Sequence, residues 1–226
     1  MREITFHLAY EATATLTTRD IPITVPSAKV QLNGSGGGDH HLDAIGQKIK
    51  EKVALIPILR SGLGMVDPML ELIDNATVHH IGMYRNSKSL MPVQYYNRLP
   101  KICDVDVAYI LDPLIATSAT VISVVGMMKK WGVSTIHVLS VIASRKGLSE
   151  LLKYHPDVHV TIGHVDEALN EEGDLVPGLG DAGDRLFGTT HPSILEGGGE
   201  DGEELEDQEL VHFSKRKRTM SVDAGN

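Results

Sequence analysis

Val53-Ala54-Leu55-Ile56-Pro57-Ile58-Leu59, running straight into Arg60-Ser61-Gly62-Leu63-Gly64-Met65-Val66-Asp67, decides the fold class. The first seven residues form a continuous apolar run of the kind a parallel strand buried on both faces requires. The run ends at Arg60-Ser61-Gly62, and a helical pattern follows from Leu63 to Ile73. The same pattern recurs downstream. Val107-Ala108-Tyr109-Ile110-Leu111 reads as a buried strand stopped by Asp112-Pro113, and a helix is expected from about Ala119 to Trp131. That helix ends at Gly132, with Lys129 and Lys130 in its last turn, where cations complement the helix dipole.

Working outward, Val78–Tyr84, Ile136–Ile142 and Val158–Val165 read as further strands, and Leu148–Tyr154 as a helix. Residues 2–16 place Ile4, Leu8, Ala12 and Leu16 at helical spacing. Residues 22–32 look like a strand or hairpin arm, with Pro22 and Pro26 favouring an edge. Residues 85–100 are polar and carry Pro92 and Pro100, as a loop or exposed hairpin arm does. Alternating strands and helices of these lengths predict an α/β domain with a largely parallel sheet flanked by helices. Ligands in such sheets sit at the carboxyl ends of the strands. The segments to inspect are therefore Arg60–Gly64, Arg85 onward, Asp112–Thr120, Ala143–Gly147 and the stretch after Val165.

Composition bounds the rest. The chain has 226 residues, is 42% apolar and holds a single cysteine, enough for a full core but not for a disulfide framework or multi-thiolate metal site. The start, MREITFHLAYEA, lacks the apolar run of a signal peptide, and no stretch has the length of a membrane helix. A cytoplasmic protein with no membrane partner is expected. The net charge of −9 argues against nucleic acid as a partner, but the charge is uneven. Residues 191–226 hold nine acids and four bases, the bases together at Lys215-Arg216-Lys217-Arg218, and read as a flexible acidic/basic tail on a working domain of residues 1–190. The KRKR segment fits either a solvated charge run or a nuclear-import signal. Asn33–His41, NGSGGGDHH, reads as a flexible loop.

The strand-end segments carry the chemistry. Asp112-Pro113-Leu114-Ile115-Ala116-Thr117-Ser118-Ala119-Thr120 passes from a buried strand directly into a helix. Amides and hydroxyls at a helix start cradle phosphate, and Asp112 is placed for sugar hydroxyls or a cation; Ser and Thr there also serve as ordinary helix caps. Arg60 and Arg85 end strands, where guanidinium groups suit a pyrophosphate or form plain surface ion pairs. Gly178-Leu179-Gly180-Asp181-Ala182-Gly183 matches G-x-G-x-x-G in spacing, yet no crossover helix follows, which argues against a dinucleotide fold. Neighbours such as His79-His80 in a strand point to opposite faces and do not make one metal site, His40-His41 falls in the glycine loop, and Cys103 sits in no nucleophile motif.

In order, LAYEAT (8–13), PILRSGLGMVD (57–67), HIGMYR (80–85), PVQYYNRLP (92–100), DPLIATSAT (112–120), HPDV (155–158) and DEALNEEGDLVPGLGDAGDRLFGT (166–189) resemble the uracil phosphoribosyltransferase family. The resemblance implies a type I phosphoribosyltransferase-like fold with a flap arm over residues 86–100. It also implies the reaction of uracil with phosphoribosyl pyrophosphate (PRPP) to uridine monophosphate (UMP) and pyrophosphate, in pyrimidine salvage. Asp112, Pro113, Leu114, Ile115, Ala116, Thr117, Ser118, Ala119 and Thr120 would be the PRPP loop, with Arg60 and Arg85 on the pyrophosphate. Leu175, Gly180, Asp181 and Ala182 would hold uracil, with Asp181 also facing PRPP and standing as the catalytic candidate. Magnesium would arrive with PRPP rather than on protein ligands. A homodimer or larger assembly is implied, and GTP is the effector to consider. The family loop usually reads A-T-G-G-S, where this chain has Ala116-Thr117-Ser118-Ala119-Thr120, and Ala143-Ser144-Arg145-Lys146-Gly147 replaces a run of small residues, Pro and Glu. These departures frame the alternative of a catalytically weak relative that binds uracil or UMP, or acts as an interaction protein.

Overall fold

The computed structural model describes residues 1–26, 41–86 and 91–189. The chain divides after Leu186 into two compact units, and the fold and its strand-end loops belong to the first, Met1–Leu186. The expected flexible loop, apart from its last residue His41, and the expected tail lie outside the described residues.

In chain order the elements are α1 (Arg2–Thr13), β1 (Thr18–Pro26), β2 (His41–Ile49), β3 (Val53–Leu59), a 3-10 turn (Ser61–Met65), α2 (Val66–Leu72), β4 (Thr77–Val78), β5 (Ile81–Arg85) and β6 (Pro92–Asn97). They continue with β7 (Val107–Leu111), β8 (Leu114–Ile115), α3 (Ala119–Trp131), β9 (Thr135–Ser144), α4 (Arg145–Tyr154), β10 (His159–Asp166), β11 (Ala168–Leu169), β12 (Leu175–Val176) and α5 (Ala182–Phe187).

The main sheet runs in the order β10-β9-β7-β3-β5-β6. It is parallel except at β6, which returns antiparallel to β5 as the expected hairpin arm. The register is straightforward at the centre, with Val53 opposite Val107 and Val107 opposite Thr135. Pro22 and Pro26 lie in β1, whose antiparallel partner is β2 in a separate two-stranded sheet, so neither of them removes a donor from the main sheet.

The continuous apolar runs are explained by the two cores. Ala54, Ile56, Ile58, Ala108 and Ile110 face one layer with Val121, Val124, Val125 and Met128 of α3 and Leu151 of α4. Val53, Leu55, Val107, Tyr109 and Leu111 face the other, with Ala9 and Ala12 of α1 and Met69 of α2. Alternate residues of each strand thus enter opposite cores, and both must be apolar. Glycine is required where the turn after β3 crosses β7: a Cβ on Gly62 would lie 2.3 Å from the Leu111 carbonyl oxygen. The parallel order brings Arg60, Asp112, Ser144 and Asp166, at or beside the carboxyl ends of β3, β7, β9 and β10, to one edge of the sheet.

Two sequence expectations need correction. The helix expected over Leu63–Ile73 is a 3-10 turn followed by α2, because Pro68 has no N–H for the Gly64 carbonyl and is accommodated in the first turn of α2. His79 and His80 are not strand residues: the ladder along β3 is interrupted there, between β4 and β5. Among the described residues no helix is long and apolar enough to cross a membrane.

Candidate functional site

Asp112 sits where β7 gives out, 8% exposed. Burial pushes its carboxyl up to about 7, while hydrogen bonds from the Leu114 amide and the Ser61 hydroxyl pull in the opposite direction. The chain then turns tightly: Pro113 offers its carbonyl to the Val141 and Ile142 amides at 3.1 Å, and β8 pairs Leu114 with Ile142 and Ile115 with Ala143. Ile115 is buried in the core, so its side chain serves packing.

Beyond Ile115, the segment Ala116–Thr120 bends into α3. The first intrahelical bond is Ile122 N–H to the Ser118 carbonyl at 2.9 Å, so the amides of Ala119, Thr120 and Val121 precede it at the positive end of the helix dipole. Ser118 occupies the N-cap position in the left-handed region, φ +66°, and its side chain makes no cap bond. The ordinary cap reading of this serine is therefore replaced: its hydroxyl donates to the Gly147 carbonyl at 2.5 Å.

A cavity of about 120 Å³ opens over this loop, lined by Arg85, Asp112, Leu114, Ile115, Ala116, Thr117, Ser118, Ala119, Thr120 and Val121. One cation from β5 thus faces helix-start amides and a buried carboxyl, an arrangement suited to a phosphorylated sugar. Pro113 is the loop residue that does not line it. Arg85 also reaches across to the segment after β11, where Nη1 donates to the Glu172 carbonyl at 3.3 Å.

The other expected group forms beside Arg60. Arg60 Nη2 pairs with Asp184 Oδ1 at 2.9 Å. Asp181 starts α5, its Oδ1 accepting the Asp184 amide at 2.8 Å. Leu175 and Ala182 are buried, and Gly178 and Gly180 take φ of +54° and +71°. Gly178 has no room for a side chain, since a Cβ would lie 2.2 Å from the Leu175 carbonyl oxygen. The structure therefore brings Arg85 together with Asp112–Thr120, and Arg60 together with Asp181–Asp184. Arg60, Leu175, Gly180, Asp181 and Ala182 do not line the cavity over the loop.

Sequence reasoning missed three contributors, and for a fourth, Asp184, it offered a cation or sugar but not the arginine partner. Asp166 is buried and accepts the Gly178 amide at 3.1 Å, tying the glycine-rich turn to the end of β10. Ser61 bonds Asp112. Asp184 pairs Arg60. Ser144 donates to the Ala116 carbonyl at 2.6 Å. For Ser144 a signal existed, a serine directly before a helix, because it caps α4 through the Gly147 amide at 2.8 Å. The other three touch partners distant in sequence. Among the described residues, no three His, Cys, Asp or Glu side chains converge as a metal site.

Set against known proteins, residues 1–189 match the family model for uracil phosphoribosyltransferase. The chain is 45% identical over 189 residues to a uracil phosphoribosyltransferase of Roseiflexus sp. (strain RS-1), covering 84% of each chain. It is 43% identical over 189 residues to one of Ureaplasma urealyticum serovar 10, covering 84% of this chain and 85% of that one. Among solved structures it is similar to the AQ2163 protein from Aquifex aeolicus, with a TM-score of 0.71 and 29% identity over 84% of each chain.

Proposed function

The chain belongs to the uracil phosphoribosyltransferase family, a glycosyltransferase family, and we propose that its strand-end loops bind PRPP and uracil in the two groups around Arg85 and Arg60. The observation that supports this most directly is the cavity where Arg85 and Asp112 meet the amide end of α3. In this reading the 5′-phosphate rests on the backbone of Ala116–Thr120, where amides and helix dipole favour a dianion. Ionised Asp112 accepts from the ribose hydroxyls. Arg85 and Arg60 hold the pyrophosphate; Arg60 carries five donors in its fork, so it engages phosphate oxygens while keeping Asp184.

Uracil lies against Leu175 and the backbone of Gly180 and Ala182. The new bond joins uracil N1 to ribose C1′, pyrophosphate leaves with the electron pair of the C1′–O bond, and the N1 proton is released. Asp181, held through Oδ1 by the Asp184 amide, presents its other oxygen toward the positive charge that grows on the ribose. Arginines bearing on the leaving group act when its charge develops, which is where stabilisation raises the rate. Magnesium would arrive bound to PRPP and would supply charge neutralisation on the pyrophosphate, with Asp112 a carboxylate beside the loop that could face it. The β5–β6 hairpin is the arm that would exclude water.

Pyrimidine salvage in the cytoplasm and assembly as a homodimer or larger belong to the same reading, as does the division into a catalytic domain of residues 1–190 and a tail. The comparisons lend no support to the catalytically weak alternative or to a GTP effector. The test is UMP formation from uracil and magnesium-PRPP by the purified chain, with Arg85→Ala alongside. Turnover that falls at least tenfold in kcat/KM for PRPP on Arg85→Ala is expected, about 1.4 kcal/mol or more of lost transition-state binding. Turnover indifferent to Arg85, or no UMP at all, would overturn it.

A further inference from the structure

Residues 116 and 118 are fastened to the corner between β9 and α4 by two serines placed on either side of Gly147. Ser118, 4% exposed, holds a left-handed backbone, which residues with a Cβ disfavour. Its hydroxyl donates to the Gly147 carbonyl at 2.5 Å. Ser144 donates to the Ala116 carbonyl at 2.6 Å and accepts the Gly147 amide at 2.8 Å. The corner is too tight for anything but glycine between them: a Cβ on Gly147 would stand 2.1 Å from the Ala116 oxygen and 2.9 Å from both serine oxygens.

Each bond does something for an anion at the start of α3. The left-handed turn at Ser118 is what swings the chain from the loop into the helix, so that the amides of Ala119–Val121 lie beside the cavity. A carbonyl facing that cavity would repel a phosphate, and Ser144 occupies the carbonyl of Ala116. We propose that Ser118 and Ser144 are positioning residues for the 5′-phosphate of PRPP, their hydroxyls holding by side-chain bonds a turn that glycine would adopt unaided. The inference rests on reading Asp112–Thr120 as the PRPP loop.

The test is steady-state kinetics and calorimetry on the full chain, with melting temperatures recorded for every variant. Ser118→Ala keeps the Cβ and loses the hydroxyl, and should raise KM for PRPP about tenfold while KM for uracil moves less than about twofold. Ser118→Gly loses the same bond but removes the Cβ, so its KM for PRPP should lie at least about threefold below that of Ser118→Ala. Ser144→Ala should also raise KM for PRPP selectively, with recovery in Ser144→Thr. It carries the same readout should Ser118→Ala not fold. Equal KM for PRPP in the alanine and glycine variants, or alanine variants that shift only the melting temperature, would overturn the proposal. Wild-type protein that binds no magnesium-PRPP would instead overturn the loop reading beneath it, whereas wild-type binding with unchanged variants would overturn the positioning role alone.

Discussion

Asp112 and His137 respond to pH in opposite senses because one is an acid and the other a base, both held out of water. Asp112 keeps its proton in the folded chain up to about pH 7, against an ordinary value of 3.8. The folded state therefore binds the extra proton across that window, and stability falls as pH rises from about 4 to 7. Asp112→Asn should accordingly melt higher than wild type at pH 8, by several degrees, with the difference vanishing near pH 4. The same variant should lose PRPP affinity at pH 8, because the carboxylate proposed for the ribose hydroxyls is gone. His137 stacks between Tyr109 and His159, at 4.8 and 4.6 Å, and burial first, then the neighbouring His159, push its pKa down to about 4. It contributes stability above about pH 6.5 that is lost as pH falls toward 4. His137→Gln should flatten that acid limb in melts run from pH 7 to 4. The pKa shifts were not legible in the sequence, where Asp112 read as a strand-end carboxylate placed for sugar hydroxyls or a cation and its burial had no local signal.

Among elements, α3 was the most legible. Its span, Ala119–Trp131, coincides with the sequence reading because its stop signal is local: Gly132 closes it at φ +111° with its amide on the Met128 carbonyl at 3.1 Å. Gly132→Ala should cost about 1 kcal/mol in urea unfolding with little change in kcat. Met128→Ala, at the fully buried face of α3, should cost about 2–5 kcal/mol by the same measurement. Elements lacking a core face were less legible. In β2, residues 44–49 are exposed or half-buried, so no apolar alternation marks the strand, and only pairing with β1 makes it one. The interruption at His79–His80 had a sequence signal in Pro57 of β3: Leu55–Val78 and Ile58–Ile81 keep one register and the His79 amide still donates to the Leu55 carbonyl at 2.9 Å, but Pro57 has no N–H to return to the ladder.

At the scale of the molecule, the charge of −9 divides between a near-balanced domain and the acidic segment from residue 191. If catalysis belongs to residues 1–190, deleting 191–226 should leave kcat and both KM values within about twofold in the uracil assay. A large loss would place part of the working protein in that segment. The amino-acid sequence by itself determined the layered α/β architecture, because a strand facing two cores must be apolar at every position, and that pattern is written in consecutive residues. It also determined where the chemistry gathers, since parallel strands put their carboxyl ends on one edge. Only the tertiary structure decided which side chains meet there. Arg60 with Asp184, Asp166 with Gly178, and the two serines around Gly147 join partners 12 to 124 positions apart, and bonds across such separations depend on the packing of whole layers, which no local pattern encodes.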